Sequence, residues 1–173
     1  EIGSGLVGSE MCIRDSTKAV GKAIYEALPC EKEIFESGRQ PNDLSCYDLI
    51  YVGFWGYRQG ADMPSRNVLS SLHGKKVAIY GTAGTYPDSP AAMSYLKSSS
   101  ELLAKDNIFL GDFMSQGRVH SFHIGKRNDH AEKVHPMTPE RLARLQEAEK
   151  HPNETDFKNA AAWALKMLEK ASL

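Results

Sequence analysis

"YDLIYVGFWGYRQGAD" (residues 47–62) is the stretch whose reading decides the fold. From Tyr47 to Trp55 it is an almost unbroken apolar run rich in β-formers, and it breaks into Gly and polar residues immediately afterwards. A short continuous run bounded by turn signals suits a strand buried on both faces, as in a parallel sheet covered by helices. Two further runs have the same character. "KKVAIYGTAG" (75–84) ends in a turn at Gly81 and Gly84, and "NIFLGDFMSQG" (107–117) ends near Ser115.

Helical patterns separate these runs. "TKAVGKAIYEALP" (17–29) places Val20, Ile24 and Leu28 at i, i+4, i+8 and is stopped by Pro29, which marks an amphipathic surface helix starting at Thr17. "MPSRNVLSSLHG" (63–74) reads as a short helix closed by Gly74. "DSPAAMSYLKSSSELLAK" (88–105) offers Ser89 as N-cap and Pro90 as first helical residue, and Thr138 with Pro139 repeats the device in "MTPERLARLQEAEKH" (137–151). "TDFKNAAAWALKMLEKA" (155–171) is the last helix. "KEIFES" (32–37) is expected as a further short strand. The alternation is that of an α/β fold with helices on both faces of a parallel sheet, whose ligands bind beyond the carboxyl ends of the strands. "GFWGYRQGAD" and "GTAGTYPDS" lie at that edge.

Composition narrows the function classes. A chain of 173 residues with 41% hydrophobic and 25% charged residues holds one globular domain with a full core. A net charge of −1 argues against a broad nucleic-acid footprint. No apolar run approaches the ~20 residues needed to span a bilayer, and the N-terminus lacks the pattern of a signal peptide. Cys12, Cys30 and Cys46 form neither a C-x-x-C pair nor an even disulfide framework, so a cytoplasmic location is expected.

With "YVGFW", "GTAG" and "FMSQG" in this order, and a "HP-N" step at His151–Asn153 into the last helix, the sequence resembles the flavodoxin-like family of small FMN proteins, in a bacterial branch, from Thr17 to the C-terminus. The resemblance implies a three-layer sandwich around a five-stranded parallel sheet of order 2-1-3-4-5. It also implies FMN as cofactor, with a phosphate loop of the form T/S-x-T-G-N-T leading into the first helix. Only Thr17, with Ser16 before it, stands in that register here, and Asp15 occupies the glycine position.

The chain before Thr17 has no helical or strand period. "LVGSEMCIRDS" (6–16) resembles the in-frame translation of a common transposase sequencing adapter. Residues 1–16 are therefore expected to be a non-native segment standing where the first strand and phosphate loop belong, with a single domain over 17–173. As a strand the segment would bring Glu10 and Arg14 into a buried layer, which is costly.

Under the resemblance, Phe54, Trp55 and Tyr57 are candidates for the wall of the flavin ring. Gly56 stands where the family uses a flexible peptide to answer protonation at the flavin. Gly81, Thr82, Ala83 and Gly84 would present backbone N–H groups to the edge of the ring, and Ser16 and Thr17 remain for the phosphate. His120, His123, His130 and His135 fall in one polar stretch (117–136), but their spacing matches no metal motif, so no metal is expected. No Ser–His–Asp arrangement is legible, and no catalytic residue is assigned. The leading reading is an electron carrier between a reductase and a terminal redox enzyme. The alternative is an FMN-dependent reductase, driven by NAD(P)H or a partner, acting on a quinone, tetrapyrrole or similar planar acceptor. A signalling receiver on the same strand order would need an aspartate where "VGFW" stands, and is set aside.

Overall fold

The three apolar runs do form strands, and each is terminated where glycine or a polar cluster ends the pattern. A computed structural model of the chain describes residues 12–58, 60–119 and 137–173. Within these, α1 spans Cys12–Ala27, β1 Leu49–Tyr57, β2 Gly60–Ala61, α2 Met63–Ser71, β3 Lys76–Ala83, α3 Pro90–Ser100, β4 Ile108–Gln116, α4 Pro139–Ala148 and α5 Glu154–Ala171. The sheet order is β2-β1-β3-β4, with β1, β3 and β4 parallel and only the two-residue β2 antiparallel to β1. The parallel strands are thus adjacent in chain order, as the third, fourth and fifth strands of the expected 2-1-3-4-5 sheet would be.

Two expectations are corrected. Lys32–Ser37 is not a strand; Phe35 is half-buried by packing edge-on against Tyr47, with ring centroids 6.2 Å apart, and needs no ladder to be covered. The first helix begins at Cys12 rather than at Thr17. Residues 1–11 of the segment expected to be non-native, and His120, His123, His130 and His135, lie outside the described residues.

Alternation along β1 sorts the core into two layers. Ile50, Val52 and Phe54 pack with Val77 and Ile79 against Leu69 of α2 and Leu96 of α3. Leu49 and Tyr51 pack with Ala78 and Tyr80 against Val20 and Ile24 of α1 and Ala164 of α5. Fully buried apolar side chains on both faces contribute roughly 1.5–3 kcal/mol each, which holds the three layers together. The Tyr51 hydroxyl donates to Ala164 O at 2.6 Å, tying β1 to α5, and burial pushes its phenol well above the usual range.

Cross-strand glycines make room for the largest rings. Gly53 faces Tyr80 and Phe54 faces Gly81 in the β1–β3 register, on opposite faces of the sheet. A Cβ on Gly53 would lie 2.3 Å from the Tyr80 hydroxyl, and one on Gly81 2.5 Å from the Phe54 ring. β4 carries a bulge between its pairings Val77↔Phe109 and Ala78↔Gly111, with Gly111 at φ 152°. There the Lys170 ammonium donates to the Leu110 carbonyl at 3.0 Å.

The helices start where side chains can satisfy their first N–H groups. Ser89 accepts from Ala92 N at 3.2 Å and Thr138 from Arg141 N at 3.2 Å. Asn153 and Asp156 form a capping box at α5. Among the described residues, no helix is long and apolar enough to cross a membrane.

Candidate functional site

At the carboxyl edge of the sheet β1 outruns its pairing. Trp55 is the last residue in register with β3, and Gly56 and Tyr57 then pair back with Ala61 and Gly60 as a hairpin. Arg58 turns that hairpin at φ 43°, an uncommon conformation outside glycine. We call the described residues 55–58 and 60–61 the flap. Its Gly56 lies against α3 and the end of β3, where a Cβ would come within 3.1 Å of the Tyr95 ring and 3.2 Å of Ala83 Cβ. Gly60 rests beside Ser98 and Arg66 in the same way.

The aromatic side chains of the flap divide by exposure. Trp55 is buried and its ring lies 5.1 Å from that of Tyr57, tilted by 59°. Tyr57 is 40% exposed and carries the Arg58 guanidinium over its ring at 5.2 Å. Across the edge, the turn from Gly84 to Ser89 exposes Tyr86, and Val119 sits directly on Gly84, where a Cβ would be 2.3 Å from Val119 Cγ2. Beneath the flap, Asp62 accepts from Trp55 N at 3.1 Å and, with its other oxygen, from Ser65 N at 3.2 Å.

The far end of the edge is polar and closed. Ser16, Thr17, Thr82, Ser115 and Gln116 are all buried. The Thr17 and Thr82 hydroxyls lie 2.6 Å apart, and Arg118 N donates to Ser16 Oγ at 3.0 Å. Gly117 N donates to Ala83 O at 2.8 Å, and a Cβ on Gly117 would be 3.2 Å from both Ser16 and Thr82. Helix α4 backs this end: Arg118 Nε donates to Glu149 O at 3.2 Å and Gln116 Nε2 to Arg144 O at 3.4 Å.

The structure therefore distributes the candidate residues over three places. Trp55, Gly56, Tyr57, Ala83 and Gly84 come to the carboxyl edge. Ser16, Thr17 and Thr82 form the polar cluster beside it. Phe54 and Gly81 stack on one another inside the core beneath both. Sequence reasoning missed Asp62, Ser65, Tyr95, Arg118 and Val119; only Asp62 had a local signal, as a cap residue shortly before Pro64.

A flavin needs a flat apolar wall with backbone donors for its ring, and a cradle of N–H groups at a helix start for its phosphate. Of the ring requirement, the exposed Tyr57 and Tyr86 supply apolar surface at the flap and the Gly84–Ser89 turn. The phosphate requirement does not fit Ser16 and Thr17, which stand in the second turn of α1, with their hydroxyls already in contacts inside the protein. A cavity of about 940 Å³ opens elsewhere, between residues 37–45 and α2, near the amino ends of the strands. Its polar side chains are already engaged: Lys75 with the Ser45 and Tyr47 carbonyls, Arg39 with Glu36, and the His73 ring with Asp106. Among the described residues no group of His, Cys, Asp and Glu is arranged to hold a metal ion.

A family model described as "Flavodoxin domain" matches residues 15–164. The chain is 28% identical over 167 residues to the flavodoxin-like domain-containing protein BilS of Clostridioides difficile (strain CD3), covering 91% of this chain and 93% of that protein. Its fold resembles a flavodoxin from the domain Archaea (TM-score 0.58, 13% identity, 99% of this chain and 98% of the other). It also resembles oxidised Flavodoxin 2 from Bacillus cereus (TM-score 0.53, 14% identity, 98% and 99%).

Proposed function

The chain belongs to the flavodoxin domain family, and from that premise we propose that it is an FMN-binding electron carrier, passing electrons between a reductase and a terminal redox enzyme. One observation carries this reading: a hairpin flap bearing an exposed tyrosine and a turn exposing Tyr86 lie at the carboxyl edge of a parallel sheet, the place where such sheets take flat ligands.

FMN, when bound, supplies reversible one- and two-electron chemistry. The protein's part is to hold the ring, exclude water from one side of it and present backbone N–H groups to its edge. Tyr57 and Tyr86 are the exposed aromatic surfaces that would meet a ring. Gly56 has no side chain to obstruct its peptide, and its close approach to Tyr95 and Ala83 keeps the flap on the sheet. Ala83 and Gly84 close β3 beneath this place, with Val119 packed on Gly84. The polar cluster around Thr17 and Thr82 supports the edge from the side, and no phosphate contact is derived from it. An electron carrier needs no general acid or base in contact with a substrate, and the reading assigns none.

Titrating the protein with FMN tests the cofactor: quenching of flavin fluorescence that saturates at one FMN per chain is expected. Riboflavin binding with an affinity close to that of FMN would agree with a site that grips the ring rather than the phosphate, and absence of FMN binding would refute the proposal. The loaded protein is then mixed with NADPH, first alone and then with a separate flavodoxin reductase. Reduction that requires the second protein supports the carrier, whereas rapid reduction by NADPH alone would replace it with the reductase reading.

A further inference from the structure

The outer edge of β1 is satisfied in an unusual way as it approaches the flap. In a strand, alternate residues direct N–H and C=O to the same side, so Gly53, Trp55 and Tyr57 share one edge. Tyr57 pairs there with Gly60. One step back, the N–H of Trp55 is met by a carboxylate oxygen of Asp62 at 3.1 Å. One step further, the Gly53 carbonyl accepts from the Ser65 hydroxyl at 2.9 Å. The Ser65 hydroxyl also lies 3.0 Å from Asp62, and its single proton serves one acceptor at a time. A neighbouring strand would meet Gly53 and Trp55 with one N–H and one C=O. Here one hydroxyl and one carboxylate, both from the start of α2, take those places.

Asp62 has two duties with different consequences. One oxygen caps α2 through Ser65 N, which is a helix matter. The other fixes the residue at which β1 parts from β3 and becomes the flap. Asp62 is 5% and Ser65 3% exposed, so water does not compete at either contact. We propose that Asp62 is a positioning residue: its carboxylate, through Trp55 N–H, sets the pose of the flap and thereby the opening of the proposed flavin site. The clamp itself is independent of any ligand, but its effect on the opening rests on the flavin reading above.

Amide exchange, followed residue by residue by NMR on the full chain without flavin, separates the two duties. Asp62→Ser keeps a good helix cap but is too short to reach Trp55. Exchange at Trp55 N–H is expected to rise about tenfold or more, while the amides of α2 stay within about twofold of the parent protein. Unchanged exchange at Trp55, or equal acceleration at Trp55 and throughout α2, overturns the clamp. Asp62→Asn is nearly isosteric and decides the matter should the serine variant not fold. Its amide has one acceptor oxygen, so either Trp55 or Ser65 is expected to lose protection while the other keeps it; protection retained at both would refute the proposal. FMN titration of the serine variant then tests the link to the site, with affinity expected to fall about five- to tenfold. Equal affinity in variant and parent removes that link. If the parent protein binds no FMN, the flavin reading fails while amide exchange still decides the clamp.

Discussion

The two ends of the carboxyl edge are built by opposite means. At the flap end, aromatic surface is left open, a non-glycine residue takes a positive φ, and a buried carboxylate stands in for a strand. At the α1–β4 end, hydroxyls and backbone groups are matched to one another and glycine lets the chains close up. Open apolar surface and strained turns are features of places that receive something. Mutually satisfied polar groups are features of places that are finished. The contrast teaches that, under the proposed flavin reading, one end of the edge is open to a ring while the other is closed on itself.

The largest effect is expected where both ends share a support. Gly81→Ala places a methyl group 2.5 Å from the Phe54 ring, and the ring sits too deep in the core to swing aside. A loss of about 2–3 kcal/mol in urea denaturation is expected, as for other overpacked cores. Its register neighbour Gly53→Ala, against Tyr80, should behave alike on the opposite face. A loss under about 0.5 kcal/mol at both positions would show that the aromatic–glycine pairs are loosely packed.

The closed end is probed next by a double-mutant cycle on its shortest hydrogen bond. Thr17→Val and Thr82→Val should each cost about 1–3 kcal/mol in chemical denaturation, because each leaves a buried hydroxyl without its 2.6 Å contact. The double variant should cost clearly less than the sum. Strict additivity would mean that the two threonines do not hold one another and that the end is less finished than its geometry indicates.

At the open end the expected change lies in binding rather than in folding. Tyr57→Ala removes a half-exposed ring, so stability should move by no more than about 0.5 kcal/mol. FMN affinity should fall by roughly 0.5–1.5 kcal/mol, the worth of an aromatic stacking contact. A large loss of stability with unchanged flavin affinity would reverse the contrast between the two ends.

The smallest effect is expected behind the closed end, where α4 meets α5. The Lys150 ammonium, and after it His151, hold the Glu147 carboxyl below its usual value. A lowered carboxyl adds stability above its ordinary titration range and loses it as pH falls through the lowered value. The melting difference between the parent protein and Glu147→Gln should therefore be small at pH 7 and shrink as pH falls below the ordinary glutamate range, since exposed ion pairs contribute little. A gap that widens toward acid would contradict the assignment.

Much of the fold was legible because the relevant physics is local. Continuous apolar runs located β1, β3 and β4, and Ser89–Pro90 and Thr138–Pro139 located two helix starts to the residue. Lys32–Ser37 failed because a strand exists only with a neighbour, whereas the Phe35 side chain could be covered without one. The helix boundary at Cys12 was missed because its first turn has no apolar period. At the carboxyl edge, the aromatic residues of the flap stood out in the sequence, but Asp62 did not. Its second role depends on a hairpin bringing the Trp55 N–H within reach, which no spacing along the chain encodes.

The bulge in β4 has a consequence for how copies of the chain meet. Among the described residues β4 is the outermost strand of the sheet, and Ile108 and Phe109 on it are exposed. A straight strand in that place would be a template for edge-to-edge association with another molecule. The extra residue at Leu110 breaks the spacing of its donors and acceptors, and the Lys170 ammonium already occupies the carbonyl there. An incoming strand would have to displace a charge and straighten a kink. The irregularity thus makes this exposed apolar edge a poor template for a second strand.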